Sequence, residues 1–159
     1  MFRTGIGYDI HRTAAGRRLV LGGVEVPTER GLAGHSDADV VLHAVCDALL
    51  GAAGLGDIGE LFPPDDPRWK DADSRRFVAI VLERVAAAGL APVNVDVVIH
   101  AERPRLEAYK GRIRASLAAL LRIPVGDAGV KATTNEGLDA VGRGEAIACW
   151  ATVLLRSIA

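Results

Sequence analysis

The stretch DVVLHAVCDALLGAAG, residues 39–54, decides how this chain is organised. Alanine and leucine run through it and Gly54 closes it, which predicts a helix. Apart from Asp39, His43 and Asp47 its side chains are apolar, and their i, i+4, i+8 spacing places these three in one stripe. Ionisable groups on an apolar helix are costly to bury unless a partner compensates them. The stripe therefore predicts a polar site on an otherwise buried helix.

The nearest partners for this stripe lie at the start of the chain. Asp9 and His11 are two residues apart at the end of a predicted strand, residues 2–10, so their side chains leave the same face. Alone they are typical of an ordinary strand end, but with His43 they form the open three-ligand set of catalytic zinc. We expect Asp39 or the next carboxylate along the helix to accept the second ring N–H of a ligand histidine.

Two interpretations of this stripe remain open: His43 is a metal ligand, or it is a hydrogen-bonded histidine of the core. Similar alternatives apply to three polar segments nearby. HSD at residues 35–37 could receive an anion at the helix N-terminus or simply cap it. KATTNE at residues 131–136 offers hydroxyls, amides and a carboxylate that suit phosphate oxygens and a hard cation. GRGE at residues 142–145 reads as a hairpin turn or as an arginine clamp for a diphosphate.

The rest of the pattern predicts an α/β sandwich of the α+β type, a mixed β-sheet with helices packed on one face. We expect the second strand to pair with the first, and the last two to be joined by a glycine-rich turn. One domain, residues 1–159, is expected from the length. Predicted strands cover residues 18–22, 93–101, 129–133 and 146–156, helices residues 73–89 and 105–121, and a proline-rich loop residues 57–71.

Composition narrows the function classes. The 19 basic and 20 acidic side chains nearly cancel, which argues against a nucleic-acid partner or a polybasic membrane binder. Cys46 and Cys149 sit in apolar segments and are expected to be free buried thiols. The longest apolar stretch, residues 40–55, is too short for a bilayer, and no leader segment is evident. We therefore expect a cytoplasmic protein without membrane contact, whose positive mean hydropathy favours burial between subunits.

Six motifs run in order from the first strand to the last: GYDIH at residues 7–11, HSDAD at 35–39, DALLG at 47–51, GDIG at 56–59, KATT at 131–134 and GRGE at 142–145. Together they resemble the 2-C-methyl-D-erythritol 2,4-cyclodiphosphate synthase family, in its monofunctional form. The resemblance implies a homotrimer built around the sheets, with active sites between subunits. It also implies that the substrate carries a CDP group.

The resemblance implies two metals. Zn²⁺, or another divalent cation, would be held by Asp9, His11 and His43. Mg²⁺ or Mn²⁺ would bridge the substrate phosphates next to Glu136.

The resemblance also implies the residues around the substrate. His35 and Thr134 match the catalytic positions that stabilise the transition state. It places His35 and Ser36 near the methylerythritol phosphate and counts Asp9 and His11 among the substrate contacts. It also implies a flexible lid that contains Asp57, Ile58, Gly59, Phe62 and Asp66. From the neighbouring subunit it places Ala101, Pro104, Ala132, Thr133 and Thr134 around the cytidine, with Glu136 and Arg143 as further contacts.

The implied reaction is the cyclisation of 4-diphosphocytidyl-2-C-methyl-D-erythritol 2-phosphate. The 2-phosphate of the substrate attacks the β-phosphorus and CMP leaves, which agrees with the lack of an evident protein nucleophile. One alternative is a zinc-dependent hydrolase of a nucleotide diphosphate, with Asp39 or Asp47 as its base. Another is a nucleotide-binding trimer without catalysis. Ala140 stands where the family commonly has Phe at the threefold axis, so we expect weak binding of a prenyl diphosphate there.

Overall fold

A five-stranded mixed sheet with helices on one face forms the body of the protein, in a computed structural model that describes residues 1–158. The strand order is β4-β1-β7-β5-β6; only β5 and β6 are parallel. This confirms the predicted fold class. The strands are β1 Phe2–Ala15, β2 Leu19–Leu21, β3 Val24–Val26, β4 Arg30–Leu32, β5 Leu90–His100, β6 Ala128–Thr133 and β7 Ala146–Ser157. The helices are α1 Val40–Ala53, α2 Ile58–Leu61, α3 Ser74–Ala87, α4 Lys110–Leu121 and α5 Asp139–Gly142.

Helix α1 lies directly on β1, as its apolar composition predicts. Asp39 caps its first turn, and Gly54 ends it in the left-handed conformation with φ of 71°. The contact is so close that a Cβ added to Gly5 or Gly7 would lie 2.0 Å or 1.9 Å from a carbonyl oxygen of the helix. Glycine on the strand therefore lets the helix approach its backbone.

We expect Gly7→Ala to destabilise the fold by at least about 2 kcal/mol, because the new methyl group must push α1 off the sheet. Gly51→Ala is the matched control. Its Cβ would meet no atom closer than the Ile6 carbonyl oxygen at 4.0 Å, so it should stabilise the helix by about 0.5–1 kcal/mol. Urea unfolding of both variants measures the difference, and equal stabilities would contradict the packing described here.

The pairing of the first strands differs from the prediction. Strand β1 continues to Ala15, so Asp9 and His11 lie within it and not at its end. The segment 18–22 does not pair with β1. Instead β2 pairs with β3 in a separate two-stranded sheet. Gly22 and Gly23 both have positive φ, which closes the tight two-residue hairpin turn that favours local pairing. The partners of β1 are β4 and β7.

Three further features differ from the prediction. The predicted loop at residues 57–71 contains α2 and a 3-10 turn at Pro67–Trp69. Helix α4 begins at Lys110, five residues later than expected. Strands β6 and β7 are not neighbours, because α5 and its flanking turns carry the chain across β5.

The sheet face opposite the helices is apolar and open. Ile6, Tyr8 and Ile10 alternate along β1 on this face and are 63%, 42% and 43% exposed. Trp150 on β7 extends the patch, with its ring 4.5 Å from that of Tyr8. Within residues 1–158 none of the helices has the length and apolar character that crossing a membrane demands.

Candidate metal centre

The predicted ligands Asp9, His11 and His43 come together between β1 and α1. Asp9 Oδ2 lies 2.8 Å from His11 Nε2 and 3.0 Å from His43 Nδ1, and the two ring nitrogens are 3.1 Å apart. The alternation of β1 points both of its side chains at the helix, and the position of His43 in the stripe points it back. Among the described residues this is the one group of acidic, histidine or cysteine side chains with metal-ligand spacing.

The geometry of these three atoms suits a tetrahedral cation. Zinc bonds of about 2.0–2.1 Å place neighbouring ligand atoms about 3.3 Å apart, close to the separations seen here. A cation at their centre would leave one coordination position open. One carboxylate and two imidazoles also form a donor set that zinc prefers.

The two histidines keep Asp9 ionised, whereas Asp9 favours the protonated form of His11, whose proton a bound cation would have to displace. Burial opposes ionisation of Asp9, but hydrogen bonds from His11 and His43 outweigh it and hold the pKa of the carboxyl well below its usual range. Burial likewise opposes the charge on His11, yet the hydrogen bond and charge of Asp9 raise its pKa. Asp9 is thus a carboxylate throughout the physiological range.

The far side of the His43 ring is held by serines. Its Nε2 lies 2.9 Å from Ser74 Oγ and 3.3 Å from Ser36 Oγ. The expectation that Asp39 or Asp47 accepts this N–H is wrong. Sequence reasoning missed Ser74, which is 31 residues away from His43 and reads only as a helix start.

Both helix carboxylates have other partners. Asp39 is fully buried and accepts hydrogen bonds from the amides of Gly22, Gly23, Val41 and Leu42. Burial raises its pKa to about 6 against the effect of these donors. Asp47 accepts the Ile58 amide at 2.8 Å, and its pKa is raised by partial burial. Asp39 therefore ties the β2–β3 hairpin to the start of α1.

The predicted lid segment is partly ordered by aromatic packing. Phe62 is 8% exposed and stacks on Phe77 at 4.4 Å, so its side chain belongs to the core. Asp66 caps the following 3-10 turn, and its carbonyl oxygen accepts a hydrogen bond from His35 Nε2 at 3.1 Å. His35 thus joins the segment before α1 to the lid. Asp57 caps α2, where Ile58 and Gly59 are its first residues.

The predicted cytidine segments meet at the ends of β5 and β6. The Ala101 amide donates to the Thr133 carbonyl oxygen at 3.0 Å, and Pro104 follows in the same connection. The side chains of Ala132, Thr134 and Glu136 are exposed and outside the metal cluster of their own chain.

Two further residues singled out in the sequence, Ala140 for the axis and Arg143 for the substrate, lie around α5. Arg143 pairs with Glu145 of its own chain at 3.0 Å. Ala140 packs against a small cluster of Val141, Ala146 and Ala148.

Comparison with known proteins gives one consistent result. The profile of the YgbB family matches residues 2–156. The 2-C-methyl-D-erythritol 2,4-cyclodiphosphate synthases of Gloeobacter violaceus and Salinibacter ruber are 58% and 54% identical, over 96% and 98% of this chain and 94% and 99% of theirs. A solved synthase of that name, in its CDP-bound form, superposes with a TM-score of 0.90 at 40% identity, covering 97% of this chain and all of its own. The bifunctional IspDF of Campylobacter jejuni matches with a TM-score of 0.95 at 38% identity, over 99% of this chain and 42% of that protein. With the Asp9–His11–His43 cluster in place, the chain therefore belongs to the YgbB family.

Proposed function

We propose that this chain is a phosphorus–oxygen lyase of non-mevalonate isoprenoid-precursor synthesis. It cyclises 4-diphosphocytidyl-2-C-methyl-D-erythritol 2-phosphate to 2-C-methyl-D-erythritol 2,4-cyclodiphosphate and releases CMP. The observation that carries the proposal is the open cluster of Asp9, His11 and His43 in a chain so similar to synthases of that name.

Two cations complete the proposed site. Asp9, His11 and His43 would hold Zn²⁺, and Glu136 would hold Mg²⁺ or Mn²⁺ between the two phosphates. When bound, such cations withdraw negative charge from phosphate oxygens, so that one phosphate can approach another. The choice of ion at each position rests on the donor types. Two imidazoles and a carboxylate favour Zn²⁺, whereas a single exposed carboxylate favours Mg²⁺ or Mn²⁺.

The protein contributes mainly placement. An intramolecular phosphate nucleophile needs only to be held in line with its target, so no protein nucleophile is required. Ser36 contacts His43 of the metal cluster and His35 precedes it in the chain, and both are proposed to contact the methylerythritol phosphate. The Thr134 hydroxyl is exposed and is proposed to stabilise the charge that develops on the transferred phosphate.

Hydrolysis by a metal-bound water is less well supported by the surroundings of the cluster. Such chemistry needs a general base beside the metal. Asp39 is committed to four backbone amides and has no exposed surface. Asp47 is occupied by the amide that begins α2. Asp39 is therefore not placed to activate water, and Asp47 would have to do so with its second oxygen.

A homotrimer accounts for the open apolar sheet face. Ile6, Tyr8, Ile10 and Trp150 together form an exposed patch of the kind that subunits bury. We propose that three chains pack these sheet faces together, so that the cytidine segments of one subunit complete the metal cluster of the next. A single domain and a cytoplasmic location stay predictions.

The chemistry is tested by the source of oxygen in the products. If the 2-phosphate of the substrate is the nucleophile, turnover in heavy-oxygen water should give unlabelled CMP and unlabelled cyclic diphosphate, because water enters neither bond. Mass spectrometry of both products measures this. Label in a phosphate would support the hydrolase instead, and binding without CMP release would support the non-catalytic trimer.

A further inference from the structure

We propose that Ser74 and Asp37 are positioning residues that orient His43 for metal binding through a chain of hydrogen bonds. The chain keeps the hydrogen on Nε2, so that Nδ1 is the nitrogen that faces the cation. This inference rests on the metal site of the proposed function and adds two residues that touch neither metal nor substrate.

The chain starts at the Asp37 carboxylate, just before α1. Its Oδ1 accepts the Ser74 hydroxyl at 2.5 Å, and its Oδ2 accepts the Ser74 amide at 3.0 Å. Ser74 is fully buried as the first residue of α3. Its Oγ lies 2.9 Å from His43 Nε2, whose ring reaches Asp9 with Nδ1 on the other side.

Counting protons gives the direction of each bond. A carboxylate can only accept, so the single hydroxyl hydrogen of Ser74 goes to Asp37. The Ser74 oxygen can then only accept from His43, which requires a hydrogen on Nε2. The opposite neutral tautomer would set a lone pair of Nε2 against a lone pair of Ser74 at 2.9 Å. Nδ1 faces the Asp9 carboxylate oxygen at 3.0 Å, so a bound cation would replace the proton between these two atoms and take the lone pair of Nδ1.

The position of Ser36 explains why the chain needs Ser74. Ser36 Oγ is 3.3 Å from His43 Nε2 and already accepts the Ala38 amide at 3.1 Å. It is a longer and weaker partner for the ring. Without Ser74, Ser36 would hold the ring less firmly, because its hydroxyl is not hydrogen-bonded to the Asp37 carboxylate.

The test uses zinc alone, in competition with a fluorescent chelator. Ser74→Ala should weaken zinc binding by about 10–100-fold, the usual effect of removing a hydrogen-bond partner of a ligand histidine. Asp37→Asn should weaken it by about 10-fold, because an amide has one acceptor where the Ser74 hydroxyl and amide need two. The matched control is Asp73→Asn. Asp73 caps the same helix and pairs with Arg75 without touching His43, so zinc affinity should change less than about twofold.

A second measurement separates orientation from general stability. In the zinc-loaded protein the Nε2–H proton of His43, followed by nitrogen-resolved NMR, should exchange slowly with water. In the Ser74 and Asp37 variants it should exchange faster, while in Asp73→Asn it should not. Wild-type zinc affinity together with slow exchange in both variants would overturn the inference.

The outcomes also separate this inference from the proposed function. A wild-type protein that binds zinc through His43 but releases no CMP would remove the function and leave the hydrogen-bond chain standing. Full activity with unchanged zinc affinity in Ser74→Ala would do the reverse.

Discussion

His43→Ala is expected to lose tight zinc binding and, with it, CMP release. An open site has only three protein ligands, and removing one takes away a third of its donors. The loss should exceed about 100-fold in affinity, more than the effect expected for a residue that merely orients a ligand. Elemental analysis after dialysis, with CMP release measured on the same sample, gives the result.

The control for this variant is His100→Ala. His100 Nδ1 hydrogen-bonds to Asn135 at 2.9 Å, at the end of β5 and apart from the metal cluster. The His100→Ala variant also removes a partly buried imidazole, but one outside the metal cluster. Its zinc content should therefore match that of the wild type. Full zinc occupancy and activity in His43→Ala would reject the metal assignment.

Mixing two inactive chains is expected to restore activity if the sites are shared between subunits. Asp9→Ala removes a metal ligand, and Glu136→Ala removes the proposed contact of the second cation. Co-expressed with different tags and purified on both, every trimer contains both chains. In a cyclic trimer each such mixture has one site without either substitution, so activity should be about one third of the wild type.

A pair of differently tagged Asp9→Ala chains provides the baseline, because every site in it lacks the carboxylate. If the metal cluster and Glu136 served the same site from one chain, no mixture would contain an intact site. Purified mixed trimers as inactive as the baseline would therefore contradict the shared site. Because Glu136 is exposed and lies outside the metal cluster of its own chain, we expect the mixed trimers to be active.

Local periodicity was enough for part of the fold. The apolar run with Asp39 before it and Gly54 after it predicted α1 almost to the residue. Strand pairing was harder, because β1 pairs with β7 at the other end of the chain and nothing local marks that ladder. The predicted pairing of residues 18–22 failed for the opposite reason. Gly22 and Gly23 are a local hairpin signal, and they favour pairing of β2 with its neighbour over pairing with β1.

The sequence by itself determined which residues form the metal cluster. The two-residue period of a strand puts Asp9 and His11 on one face, and the helical period puts His43 on the face of α1 that meets them. Only the tertiary structure decided what the neighbouring polar groups do. Asp39 shares the stripe of His43 but caps the helix, while Ser74, 31 residues away, hydrogen-bonds to the ring. Periodicity fixes the direction of a side chain within its own element, whereas its partner depends on how closely separate elements pack.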